Sequence, residues 1–445
     1  MKQLLRILLS ICLFALAAFA QSGRKPNIVL IYADDLGYGD VGAFGQKYIK
    51  TPNIDRLAAA GLRFTNFYAG APVCAPSRAS LMTGLHQGHA WIRGNNNDRG
   101  ERVPLRPEDL TIAEVLKAAG YRTGIVGKWG LGEPDTTGVP TRQGFDYFFG
   151  YLNQTHAHNY FPDYLWRNEE RVSLEKGAYT PDLFEREALD FIRRESDDPF
   201  FLYLADTLPH ANNELNRKTG NGMEIPSDAP YTNEPWSPQQ RNYAAMVTRL
   251  DTTVGKIVKL LEDLKLDGDT IVIFTSDNGP QDRTEGGYDQ SLFQSNGGLR
   301  GLKRELYEGG IREPLIVYWK KKIKPNRTSR HVWTQYDLLA TFAEIAGARV
   351  TMPTDGLSML PALFGKQRPR HRFLYWEFHE GGYVQAVRMD NWKGVRKKGG
   401  KVELYDLEKD ERETTDVAPK FPKIVAQIEE IMRREHVESE NWKDQ

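Results

Sequence analysis

Five short stretches of this chain are apolar almost throughout instead of alternating: NIVLIYA (27–33), RTGIVG (122–127), FFLYLA (200–205), TIVIFTS (270–276) and PLIVYW (314–319). Such runs predict strands covered on both faces, as in a parallel sheet. Between them, TIAEVLKAAG (111–120), LFEREALDFIRRE (183–195), QQRNYAAMVTRLDTTVGKIVKLLEDL (239–264) and QYDLLATFAEIAGA (335–348) place apolar residues at helical spacing. Strands alternating with helices predict an α/β fold with a large, mostly parallel sheet flanked by helices. After GARVTMPTDG the pattern changes: RFLYWEF, VQAVRMD, WKGVRK and VELYDLE follow one another across short polar gaps. They predict a small antiparallel sheet, with a last helix near 420–436. The boundary falls at 360–370, giving a catalytic unit over 21–365 and a C-terminal subdomain over 366–445.

The start of the chain has its own pattern. Lys2 and Arg6 precede an apolar run from Ile7 to Phe19, and Ala18-Phe19-Ala20 offers small residues for cleavage. This is the form of a secretory signal peptide over 1–20, too short to span a bilayer comfortably. It predicts a periplasmic or secreted protein with no integral membrane segment after cleavage. Lys plus Arg and Asp plus Glu are each 59, so no basic excess points to nucleic acid. Of the two cysteines, Cys12 lies in the leader, which leaves Cys74 alone in a compartment where lone thiols are a liability.

The polar residues at the strand ends change the picture. NIVLIYA runs into Asp34-Asp35, TIVIFTS into Asp277-Asn278, RTGIVG into Lys128, and FFLYLA is followed by His210. Ligands of parallel α/β sheets bind beyond the carboxyl ends of the strands, so these groups are expected to share one edge. Three carboxylates and an amide form a hard-oxygen set suited to Ca²⁺, in preference to Mg²⁺, and not to zinc. Pro76 in CAPSRASLMTG suits a first helical turn, which puts Cys74 at a helix N-terminus, where negative charge is favoured. Arg78 lies one turn on. The combination reads as a site for a tetrahedral oxyanion, sulfate or phosphate, over a nucleophile.

These segments resemble the type I, formylglycine-dependent sulfatases of the alkaline-phosphatase-like superfamily, and among them bacterial carbohydrate sulfatases. CAPSR resembles the Cys-x-Pro-Ser-Arg signature. NIVLIYADDLGYGD, GYRTGIVGKWGLG, FFLYLADTLPH, IVIFTSDNG, GLKRELYEGGIREP and ELYDLEKDERETTDVA resemble the other hallmarks in order. The resemblance implies that Cys74 is oxidised to formylglycine by a formylglycine-generating or anaerobic sulfatase-maturing enzyme. Its hydrate would attack sulfur with one oxygen and expel sulfate by re-forming the aldehyde. Asp34, Asp35, Asp277, Asn278 and the modified Cys74 would hold the cation. Arg78 and Lys128 would hold the diol, and Lys303 and His210 the sulfate, one of these two protonating the leaving oxygen.

One position departs from the pattern. Much of the family reads Gly-Lys-Trp-His-Leu-Gly, whereas this chain has Gly130 in place of the histidine. His156, His158, His86 and His89 are candidates to replace it. Segments 150–166 and 375–392 combine aromatic rings with polar groups as a sugar pocket would, so Asn153, Gln154, His156, His158, Glu377, His379 and Arg388 are expected among the contacts to a sulfated carbohydrate, with a galactose-type ester as first expectation. Two other readings stand beside this one: a phosphomonoesterase or phosphodiesterase of the same superfamily, and a catalytically idle glycan-binding homologue.

Overall fold

A computed structural model describes residues 24–366 and 369–443. The leader expected over 1–20 lies outside the described residues. Among them the strands are β1 (Asn27–Ala33), β2 (Leu62–Tyr68), β3 (Arg122–Lys128), β4 (Tyr147–Tyr151), β5 (Tyr164–Arg167), β6 (Glu170–Ser173), β7 (Phe200–Ala205), β8 (Thr270–Ser276), β9 (Arg312–Tyr318), β10 (Arg327–Ser329) and β11 (Trp333–Thr334). They form one sheet in the order β10-β2-β9-β8-β1-β7-β3-β4-β5-β6, with β11 paired to β2. Its centre, β8-β1-β7-β3-β4, is parallel. The principal helices are α1 (Pro52–Ala60), α2 (Cys74–Thr83), α3 (Ile112–Ala118), α4 (Thr180–Arg194), α5 (Pro238–Asp263) and α6 (Asp337–Ala346). They cover the two faces of the sheet, and two large apolar clusters result. Every residue of β1, β7 and β8 is buried, which is why these strands read as unbroken apolar runs.

The last apolar run behaves differently from its neighbours. β9 is antiparallel to both β8 and β2. Segment 277–311 makes no crossover between β8 and β9, so the chain re-enters the sheet in the opposite direction. Four further strands, β12 (Leu374–Phe378), β13 (Val384–Met389), β14 (Trp392–Lys397) and β15 (Glu403–Asp406), make an antiparallel sheet backed by α7 (Pro422–Glu435). One face of that sheet packs on the main unit through Trp376, Phe378 and Tyr405 against Tyr68, Leu306, Ile311 and Tyr336. Its other face packs on Ile428 and Met432 of α7.

Candidate functional site

Register alone aligns the polar residues. Ala33 pairs with Ser276, so Asp34 and Asp277 leave the sheet side by side, and Gly127 pairs with Ala205, so Lys128 leaves beside the loop to His210. Helix α2 starts at Cys74, and all ten of its residues are buried. Asn95 accepts the Ala75 N–H through Oδ1 at 3.0 Å, which satisfies one of the free donors at that helix start. Ser77 Oγ lies 2.5 Å from the Asp277 carbonyl and 2.6 Å from Gln335 Oε1, its one proton shared between the two acceptors. Gln335 Nε2 in turn donates to the Ser276 carbonyl at 2.8 Å. Gln335 thus ties the helix start to the end of β8, a role that no local pattern in its sequence announces.

Around Cys74 the charges interlock. Its Sγ lies 3.4 Å from Asp34 Oδ1 and 4.0 Å from Asp35 Oδ1. Lys128 Nζ donates to Asp34 Oδ2 at 2.7 Å, Lys303 Nζ to Asp35 Oδ2 at 2.7 Å, and Arg78 Nη2 to Asp277 Oδ2 at 2.9 Å. His210 Nε2 sits 3.2 Å from Lys303 Nζ and 3.4 Å from Asp35 Oδ2. Burial alone would raise the Asp34 carboxyl, yet the charges of Lys128 and Arg78 hold it well below the usual carboxylate range. Asp277 is pushed up to about 7 by burial and by the charge on Asp34. Burial also raises the Cys74 thiol, and burial together with Lys303 lowers His210, which favours its neutral ring.

A hard cation fits this donor set. Asp34 and Asp35 bring carboxylate oxygens together, Asp277 lies beside them with its Oδ1 accepting the Asp35 N–H at 3.0 Å, and Asn278 has a buried amide oxygen with no hydrogen-bond partner. The ligating atoms of Asp34, Asp35, Cys74 and His210 lie within 4.8 Å of one another.

The cavity over Cys74 is about 170 Å³. From the expected residues it is lined by Gln154, His158, His210 and Lys303. His158 stacks on His210, with ring centroids 4.8 Å apart, and its Nδ1 is 2.9 Å from Glu214. Asn95, Asn96, Arg102, Arg304 and Glu380 also line it. Glu380 comes from the turn after β12, so the C-terminal sheet does reach the pocket, one residue past His379. The other expected sugar contacts stand elsewhere. Glu377 is fully buried beneath the turn, bonded by Arg93 at 2.6 Å and Tyr375 at 2.6 Å, and His379 Nε2 turns toward it at 3.2 Å. Arg388 bonds the Tyr68 hydroxyl and lines a separate cavity of about 610 Å³. Glu377 lies on β12, His379 in the turn after it and Arg388 on β13, and the alternate side chains of the two strands face the packed interior on either side of the sheet. Asn153 bonds Glu133 at 3.1 Å, and His156 packs between Tyr151 and Tyr164, so neither lines the cavity. His86 and His89 are held by Asp355 and Glu435, also away from it.

A profile of the sulfatase family matches residues 26–348, and one described as "N-sulphoglucosamine sulphohydrolase, C-terminal" matches 301–438. The chain is 34% identical over 418 residues to the N-acetylgalactosamine-6-sulfatase of Canis lupus familiaris, covering 87% of this chain and 74% of that one. It is 34% identical over 422 residues to the arylsulfatase A of Homo sapiens, covering 86% and 76%. Among solved structures, Ps i-CgsB in complex with k-i-k-neocarrahexaose superposes with a TM-score of 0.83 at 30% identity, covering 95% of both chains.

Proposed function

Since this chain belongs to the sulfatase family and is a sulfuric ester hydrolase of sulfated sugars, we propose that it works through Cys74 converted to formylglycine, with one Ca²⁺ held by Asp34, Asp35, Asp277, Asn278 and the modified side chain. The observation that carries this reading is the start of a buried helix at Cys74, set among the carboxylates of Asp34, Asp35 and Asp277 and the cations of Lys128, Lys303 and Arg78, beneath a cavity that Cys74 and Lys303 line. The phosphoesterase and idle-binder alternatives are not favoured by these relatives.

A bound Ca²⁺ supplies positive charge that acidifies the nucleophile and neutralises sulfate oxygens. Once formed at Cys74, formylglycine would supply, as its hydrate, a hydroxyl to attack sulfur and a second to release sulfate. Arg78 and Lys128 hold the nucleophile, with their charges already paired and oriented by Asp277 and Asp34. Lys303 and His210 face the sulfate. His210 is buried in a site that favours its neutral ring, and the Lys303 ammonium beside it carries the proton that the departing sugar oxygen needs. His158, oriented by Glu214, borders the same space. A small, polar cavity suits a terminal sulfated sugar better than the middle of a polymer, and the names of the relatives support a galactose-type ester. The leader supports export, with maturation by a formylglycine-generating or anaerobic sulfatase-maturing enzyme. The test is sulfate release by the matured protein from a panel of defined sulfated mono- and disaccharides. Release from galactose-type esters above all others is expected; no release from any sugar sulfate would overturn the reading.

A further inference from the structure

We infer that Gln154 occupies the space left open by Gly130 and there donates a hydrogen bond to a non-bridging oxygen of the substrate's sulfate group. Gly130 continues the pairing of β3 with β4: the Trp129 N–H donates to the Tyr151 carbonyl at 3.0 Å and the Gly130 N–H to the Leu152 carbonyl at 2.9 Å. The two strand exits are thereby locked together, and Gln154 follows two residues after Leu152. A Cβ at position 130 would lie 2.2 Å from Gln154 Nε2 and 3.0 Å from its Cδ. The carboxamide therefore rests directly on the glycine, whose φ of +80° already disfavours a side chain.

The second observation concerns the carboxamide itself. Gln154 is only 6% exposed, yet neither its Nε2 nor its Oε1 has a hydrogen-bond partner. Buried side-chain amides are nearly always satisfied, and an exception calls for an explanation. The group borders the cavity that also holds Cys74, His210 and Lys303, the residues around the reacting centre. Sulfate oxygens accept hydrogen bonds and never donate them, so the amide N–H₂ is the half of the side chain that meets them. An amide does not titrate across the working range of an enzyme, so this donor stays in place at every pH where the fold persists.

The inference rests on the sulfatase reading, and one assay separates the two. The matured wild-type chain and its Gln154 variants are assayed on an aryl sulfate from pH 5 to 8, with inorganic sulfate as inhibitor. Gln154→Ala is expected to lower kcat/KM by about 100-fold, the loss typical of one donor to a reacting oxyanion, and to weaken inhibition by sulfate. Gln154→Glu keeps the shape but sets a carboxylate against the sulfate. Its activity should be lower still at pH 8 and recover as pH falls, because the protonated acid is again a donor. Gly130→His should be slow, and Gly130→His/Gln154→Ala faster than Gly130→His, because removing the amide makes room for the ring. Wild-type kcat/KM and sulfate inhibition in both Gln154 variants would overturn the inference and leave the sulfatase reading standing. Loss of activity in Gln154→Glu without recovery at low pH, or failure of that isosteric variant to fold, would reduce Gln154 to a packing residue and also overturn it. A wild type that releases no sulfate would remove both.

Discussion

At the scale of single residues, the site is a set of buried ion pairs that no member can leave cheaply. Removing one partner of such a pair strands the other charge, at a cost of about 3–5 kcal/mol. Cys74→Ser should therefore be better tolerated by the fold than any change at Lys128 or Asp277, since it alters no formal charge. It should nonetheless fail in sustained turnover, because an ordinary alcohol has only one oxygen with which to take up sulfate and none with which to release it. Mass spectrometry of Cys74→Ser after incubation with substrate should find a sulfated peptide or an inert one; wild-type turnover would contradict the formylglycine role. Asp277→Ala takes away a proposed cation ligand and the Nη2 partner of Arg78 together. Elemental analysis should show lost calcium, and activity should drop by about 10³-fold or more. A fully active, calcium-replete variant would redraw the ligand set.

At the scale of elements, much of this could be read in advance for a simple reason. A strand buried on both faces is mostly apolar, so β1, β7 and β8 stand out by composition, and Asp34 after β1, Asp277 after β8 and His210 five residues past β7 mark the functional edge. β2 (Leu62–Tyr68) was not legible because its half-buried pattern is interrupted by Arg63, Thr65 and Asn66, and β5 and β6 because they form a short surface hairpin. The aromatic-rich 375–392 segment meets the cavity through a residue other than those singled out in it: alternation along β12 turns Glu377 inward, and Glu380, in the turn beyond, lines the cavity. The end of α7 adds a pH dependence. Glu435, held near 2 by its hydrogen bond from His86, contributes stability above the ordinary glutamate value of about 4.3 and loses it as pH falls toward 2. His89, raised by its hydrogen bond to Asp355, contributes below the ordinary histidine value of about 6.5 and loses it as pH rises through its own raised value. Glu435 at this helix end and Asp355 thus hold segment 86–89 most tightly at mildly acidic pH. Glu435→Gln should flatten the acid limb of a Tm-versus-pH curve, by about 1–2 °C once solvent screening is allowed for. An unchanged curve would show that the contact carries no load.

For the whole molecule, the join between the two sheets decides whether the C-terminal subdomain is a separable part. Lys393, fully buried on β14, bonds Glu308 at 2.9 Å and lies 3.0 Å from Glu413, while Trp376 donates to the Ala69 carbonyl at 2.8 Å. The same apolar cluster draws residues from both sides of the boundary. Lys393→Met should destabilise the protein by about 3–5 kcal/mol, read in urea as a shift of one shared transition, with tryptophan fluorescence and circular dichroism moving together. A chain ended at 365 should aggregate, because Tyr68, Leu306 and Tyr336 would lose their cover; a soluble, cooperatively folding fragment would show two independent domains. The complete enclosure of Cys74–Thr83 has a consequence for timing. On the proposed reading a maturing enzyme would have to reach a cysteine that the finished fold leaves only 1% exposed, at the start of a helix with no exposed residue. If Cys74 is converted as proposed, its oxidation would have to come before the last stages of folding, and protein that folds first would be stranded, intact and inert, beyond the reach of later repair.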